Sequence, residues 1–163
     1  MGSGDVLVAA HQGGHLLKFT GDIRVNLCGA LDAYIEKIVS YKCVDDVTID
    51  LLNADGLDST ALGLLAKLSI HCQRDRGFTV KVFCKNLNIL RVFEAMGFYE
   101  IFTISHKACD SKMNAMLEVL EIKSLPMSEI RHQVLDAHQT LAKLNPENDR
   151  EFSDLIAALK SDH

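Results

Sequence analysis

Val47-Thr48-Ile49-Asp50-Leu51-Leu52-Asn53-Ala54-Asp55-Gly56-Leu57-Asp58-Ser59-Thr60-Ala61-Leu62-Gly63-Leu64-Leu65 is the stretch whose reading decides the fold. Residues 44–52 are rich in β-branched and aliphatic side chains, as in a buried strand. Residues 53–57 carry Asn, Asp and Gly and read as a loop. From residue 59 to 76, Leu62, Leu65, Leu68, Ile70 and Cys72 supply the apolar side of a helix, and Gly77 stands where a left-handed helix stop is expected. A strand, a loop and a helix in that order place the Ser59 hydroxyl at a helix N-terminus. Backbone N–H groups and the positive end of the helix dipole converge there. Ser59 and Asp58 are equally good N-cap residues, so either can serve. A phosphate on Ser59 would bring about 1.5–2 negative charges beside Asp55 and Asp58. A partner docked on this helix edge would then meet repulsion.

Working outward, residues 6–10 and 15–20 are short apolar runs around the turn signal Gly13-Gly14, which predicts a hairpin. Met1-Gly2-Ser3-Gly4 is set aside from the fold. Over residues 25–41, Leu27, Leu31, Tyr34, Ile35 and Ile38 recur at helical spacing, with Asp32, Glu36 and Lys37 opposite. A strand is expected over 79–84, a helix over 87–96 ended by Gly97, and a strand over 101–104. Met113, Met116, Leu117 and Leu120 follow helical spacing. The expected order is β-β-α-β-α-β-α-β-α, an α/β fold with a mixed, mainly parallel sheet and crossover helices.

Past Ser124-Leu125-Pro126 the pattern becomes wholly helical. Ile130, Val134, Leu135, His138, Leu141 and Leu144 form one stripe. Asn145-Pro146 reads as an N-cap with proline at the first helical position, and Glu147 and Asp149 suit the first turn. Phe152, Leu155, Ile156 and Leu159 form the next stripe. A C-terminal helical hairpin is therefore expected, with intramolecular packing favoured over a partner surface or a dimer seam.

The 163 residues carry a net charge of −5 and are 48% hydrophobic, enough for a sizeable core. The acidic balance argues against a nucleic-acid surface. No apolar run is long enough to span a bilayer, and no signal peptide is visible. Five cysteines, Cys28, Cys43, Cys72, Cys84 and Cys109, form no Cys-x-x-Cys pair, which suits reduced thiols in the cytoplasm.

Asp58-Ser59-Thr60-Ala61-Leu62-Gly63-Leu64-Leu65 resembles the Asp-Ser-[Ser/Thr]-Gly-Leu-Gly signature of STAS domains, the fold of bacterial anti-sigma factor antagonists, with Ala61 in place of the usual glycine. Gly21-Asp22-Ile23 and Gly97-Phe98 resemble two further family segments, and the likeness extends over residues 6–122. It implies a STAS domain over 5–123 and a helical extension over 124–163. It also implies partner switching: the unphosphorylated chain binds an anti-sigma factor, a serine kinase acts on Ser59, and a metal-dependent phosphatase reverses it. Partner binding would fall to Asp22, Asp55, Asp58, Ser59, Thr60, Leu62 and Gly63. The chain would be a kinase substrate and no enzyme, with no cofactor. The long tail is similar to that of the larger antagonists tied to biofilm and flagellar control. The alternative within the fold is an accessory subunit for ligand sensing or lipid transport, with Ser59 structural.

Other chemistries have thin support. Thr60 ranks below Ser59 as phospho-acceptor. Ser59 with a distant histidine and aspartate suggests a hydrolase only formally, because no Gly-x-Ser-x-Gly elbow is present. The Gly56–Gly63 stretch lacks the Gly-Lys-[Ser/Thr] of a P-loop. His132 with Asp136, and His71-Cys72, are too few ligands for zinc. Arg74, Asp75 and Arg76 read as a solvated helix end.

Overall fold

The computed structural model describes residues 3–161. Strand β1 (Asp5–His11) and strand β2 (Gly14–Ile23) form the expected hairpin. Its two-residue turn has Gln12 at φ 48° and Gly13 at φ 84°. Positive φ at both positions gives a turn whose twist matches its strands, and it places a non-glycine residue in the left-handed region. Helix α1 (Val25–Ser40), strand β3 (Asp46–Leu57), helix α2 (Ser59–His71), strand β4 (Val80–Phe83), helix α3 (Leu87–Met96) and strand β5 (Phe102–Ser105) follow. Gly77 and Gly97 both take the left-handed conformation expected of helix stops.

Among the described residues, six strands make one sheet in the order β5-β4-β3-β2-β1-β6, β6 being Glu118–Val119. Pairings β2–β3, β3–β4 and β4–β5 are parallel, whereas β1 pairs antiparallel with β2 and β6. The mixed, mainly parallel α/β sheet is thus present. Side chains alternating along the strands build a single core. Leu17 and Phe19 of β2, Val47, Ile49 and Leu51 of β3, and Val82 of β4 join Leu31 and Ile35 of α1 and Leu65 and Leu68 of α2. On the opposite face Thr48 and Asp50 are also buried. Cys109 lies near Asp50, and burial first, then that carboxylate, pushes its thiol up. The chain around Cys109 therefore covers part of that face, which helps to bury β3 on both sides.

Four expectations need correction. Residues 53–57 are strand rather than loop: β3 continues to Leu57 because irregularities between Lys18 and Thr20, and between Gly21 and Asp22, let the strands stay paired. The helix expected from Met113 to Leu120 is a 3-10 turn, Lys112–Met116, followed by β6, because Leu7↔Val119 and Val8↔Glu118 pairing captures the segment. The second helix stops at His71, and Cys72–Arg76 widens into a π-turn. Arg76 is no free helix end. Its guanidinium donates to Lys42 O at 2.9 Å and Val39 O at 3.1 Å, and also bonds Tyr41 O, gathering carbonyls at the α1 C-terminus. In addition, Gly4, set aside above, is buried: its N–H donates to Asp22 O at 3.1 Å, and a Cβ there would stand 2.6 Å from that oxygen. Met1 and Gly2 lie outside the described residues.

The tail forms helix α4 (Met127–Ala142) and helix α5 (Pro146–Ser161), folded back on the rest of the chain. Asn145 Oδ1 accepts the Asn148 N–H at 2.8 Å, the cap expected of Asn145-Pro146. No described helix is long and apolar enough to cross a membrane.

Two outcomes follow from these contacts. Arg76→Ala should lower unfolding free energy by about 1.5–3 kcal/mol, the range for hydrogen bonds to a charged group. Arg76→Lys should recover only part of it in urea titrations, since an ammonium lacks the planar fork. His15 is buried, with Nδ1 3.2 Å from Tyr34 Oη and its ring stacked on Tyr41. Burial lowers its pKa below 6.5. The unfolded chain then takes up the proton first, so stability is full above the unfolded value and falls as pH drops below about 6.5. Urea midpoints at pH 7.5 and 5.5 should converge in His15→Asn relative to the parent; an unchanged difference would refute the assignment.

Candidate functional site

The ends of β2 and β3 arrive together, and their last hydrogen bond fixes the start of α2. Asp58 N–H donates to Ile23 O at 3.0 Å. Asp58 is the N-cap: its Oδ1 accepts the Ala61 N–H at 2.9 Å, and its carbonyl accepts the Leu62 N–H at 3.0 Å. The two candidates are thereby separated. Ser59 is the first residue of α2, and its hydroxyl has no capping task.

That hydroxyl is half-buried rather than freely exposed, and it is occupied. Ser59 Oγ lies 2.7 Å from His138 Nε2 on α4. His138 Nδ1 lies 2.6 Å from Val134 O, which can only accept. In the neutral imidazole the ring proton therefore sits on Nδ1, Nε2 accepts, and Ser59 donates. His138 is only 2% exposed, and its ring meets Phe152 of α5 edge-on at 5.1 Å. The serine–histidine pair lacks the carboxylate that orients a hydrolytic histidine, because a backbone carbonyl fills that place. Asp136, two residues earlier and so on another side of α4, is turned to Lys67 at 3.3 Å.

One turn along α2, Gly63 lies directly under α4. A Cβ there would stand 2.4 Å from Ala137 O and 2.6 Å from Ala137 Cβ. Only glycine permits this approach without displacing α4. Next on the same side, Lys67 meets Glu36 at 3.0 Å, Asp136 at 3.3 Å and Asp32 at 3.6 Å. Burial alone would lower the Lys67 pKa, but the Glu36 hydrogen bond and the Asp32 and Asp136 charges outweigh it and raise it. Burial pushes the Asp32 carboxyl up, partly offset by Lys67, and Asp32 Oδ1 accepts no hydrogen bond.

The remaining predicted residues divide in two. Asp22, Asp55 and Asp58 gather at the strand ends: Asp22 Oδ2 holds Arg24 Nε at 2.7 Å, and Asp22 Oδ1 lies over Gly56. Asp55 is exposed, and its carbonyl accepts from Asn86 Nδ2 at 3.4 Å. Thr60, Leu62 and Gly63 are buried, Gly63 by α4. Leu62 lines a small cleft with Gly56, Leu57, Ile89 and Val92, beside exposed Leu87.

Sequence reasoning did not assign His138, Lys67, Arg24 or Asn86 to the site. Asn86 had a usable signal, since an asparagine just before an apolar helical pattern is an N-cap signature, and its Oδ1 does accept the Asn88 N–H at 2.9 Å. Among the described residues, no cluster of three or more His, Cys, Asp or Glu side chains could hold a metal.

Comparison with known proteins fits this geometry. The STAS domain family model matches residues 6–110. No curated protein matches the chain. Among solved structures, an anti-sigma factor antagonist from Mycobacterium paratuberculosis is similar at TM-score 0.55 and 22% identity, covering 64% of this chain and 87% of its own. The unphosphorylated form of the anti-sigma factor antagonist SpoIIAA is similar at TM-score 0.53 and 11% identity, covering 69% of this chain and 94% of its own. At these identities the likeness to solved structures speaks for the fold, while the family model spans more than half the chain, so the chain belongs to the STAS domain family.

Proposed function

We propose that this chain is a cytoplasmic, bacterial anti-sigma factor antagonist whose binding to an anti-sigma factor is controlled by phosphorylation of Ser59. The observation that carries the reading is the division of labour at the start of α2. Asp58 caps the helix, so the Ser59 hydroxyl can be esterified without removing the cap. The new phosphate would sit in the first turn, where the dipole favours negative charge, so the helix would survive the modification. The docking surface would not survive it equally. Asp22, Asp55 and Asp58 already make it acidic, and about 1.5–2 further negative charges would repel a partner fitted to the neutral hydroxyl. The cleft lined by Leu57, Leu62 and partly exposed Val92 supplies apolar contact for that partner.

The two structural neighbours are both anti-sigma factor antagonists, which favours this role over a ligand-sensing accessory subunit. In this reading the chain is the substrate of a serine kinase and a serine phosphatase and has no catalytic role of its own. Residues 5–123 form the STAS unit and residues 124–163 its extension, the feature that links it to longer antagonists of biofilm and flagellar control.

Phosphopeptide mapping of protein from its native cells should find phosphate on Ser59 and none on Thr60. In pulldowns, Ser59→Ala should retain an anti-sigma factor and Ser59→Asp should lose it at least tenfold. Equal recovery by both would overturn the switch.

A further inference from the structure

The tail differs from the core in how it is held. Its buried residues are Ala137, His138, Leu141, Ala142, Asn148 and Phe152, two of them polar. Several of its ties are single polar contacts. Gln133 Nε2 reaches Asp32 Oδ2 at 3.4 Å, Asp136 reaches Lys67, and Asn148 Nδ2 donates to Met96 O and Leu141 O, both at 2.9 Å. The half-exposed Asp136–Lys67 ion pair contributes little, so the seat rests mainly on Leu141, Phe152 and the buried Asn148 bond to Met96 O. Residues 120–126, between β6 and α4, form no helix or strand, and extended they reach roughly 23 Å. Leaving its seat, the hairpin would release Leu125 from Gly29 and uncover Leu141 and Phe152, while β6 keeps its pairing with β1.

What it covers is the face of α2 that carries the serine. Ser59 donates a hydrogen bond to His138, and Gly63 lets α4 approach to backbone contact. A surface with a hydroxyl donor, then a glycine one turn on, accepts a crossing helix that bears a small residue and, next to it, an acceptor. In α4 these are Ala137 and the adjoining His138.

We propose that α4–α5 is an intramolecular occupant of the partner-docking surface, and that a helix of the anti-sigma partner must displace it to reach Ser59 and Gly63. This rests on the functional reading above. The free chain is then self-masked, with the Ser59 hydroxyl engaged and shielded from a kinase as well. Partner affinity is lowered by the fraction of time the seat is filled.

The test uses the full chain and three tail variants that leave the STAS surface intact. Ala137→Arg cannot sit against Gly63, His138→Ala removes the Ser59 contact, and Asn148→Ala loosens α5 from Met96. Hydrogen–deuterium exchange followed by mass spectrometry reads the tail. Titration against the anti-sigma factor captured by Ser59→Ala reads the surface. In the parent, α4 and α5 should exchange well ahead of β2 and β3. The first two variants should speed that exchange further with the sheet unchanged, and should bind the anti-sigma factor at least tenfold more tightly. Unchanged or weaker binding by a variant whose tail has opened would overturn the proposal, making α4 part of the docking surface. If Ala137→Arg also loosens β2 and β3, Asn148→Ala carries the same comparison. Should no anti-sigma factor bind any form, the functional reading fails. Exchange alone then decides the latch: tail exchange ahead of the sheet supports it, and exchange in one step with the sheet overturns it.

Discussion

The parallel pairing of β2 with β3 is the constraint on which the rest of the molecule depends. It runs from Gly14↔Asp46 to Ile23↔Leu57, and it joins the antiparallel part of the sheet to the parallel part. Its two irregularities, with Gly21 at φ 71°, extend the pairing to the point where Ile23 O receives the Asp58 N–H. The start of α2 is therefore set by a sheet hydrogen bond rather than by a free loop. A site on such a junction is positioned by the rigid part of the fold, which is what a binding surface sensitive to one hydroxyl requires.

The same junction explains why Ser59 and Asp58 are neighbours with different duties. Removing a cap typically costs about 1 kcal/mol of helix stability. If Ser59 were the cap, changing its chemistry would also loosen the helix. With Asp58 in that place, the neighbouring hydroxyl can change its charge and partners without removing the cap of α2. Beneath, the Cys28 thiol is pushed up by burial first and by Asp58 and Asp32 second, so it stays protonated and inert.

Periodicity carried much of the fold. The 3.6-residue repeats of α1, α2 and the tail, and the glycine stops at Gly77 and Gly97, are local properties that survive folding. The errors are where a long-range partner overrode local preference. Asn53, Asp55 and Gly56 look like loop residues, yet pairing with a bulged β2 holds them in a strand. Met113 to Leu120 has helical spacing, but β1 offers an unpaired edge and takes Glu118–Val119 instead. Arg76 looked solvated because its carbonyl acceptors lie more than thirty residues earlier. The serine motif was legible; its histidine was not, because Ser59 and His138 are 79 residues apart and nothing local pairs them.

That separation also says what kind of contact it is. A buried polar group left without a partner costs about 1–3 kcal/mol, so a histidine placed under α5 needs both ring nitrogens satisfied. Val134 O satisfies one from within α4, and only Ser59 satisfies the other across the interface. The seat of the tail is thus matched to a serine that still has its hydroxyl proton. Converting that oxygen to a phosphate ester removes the donor and adds bulk at a place where α4 already touches the Gly63 backbone region. Whatever alters Ser59 must therefore act on two surfaces together, the exposed acidic edge of α2 and the face beneath the tail.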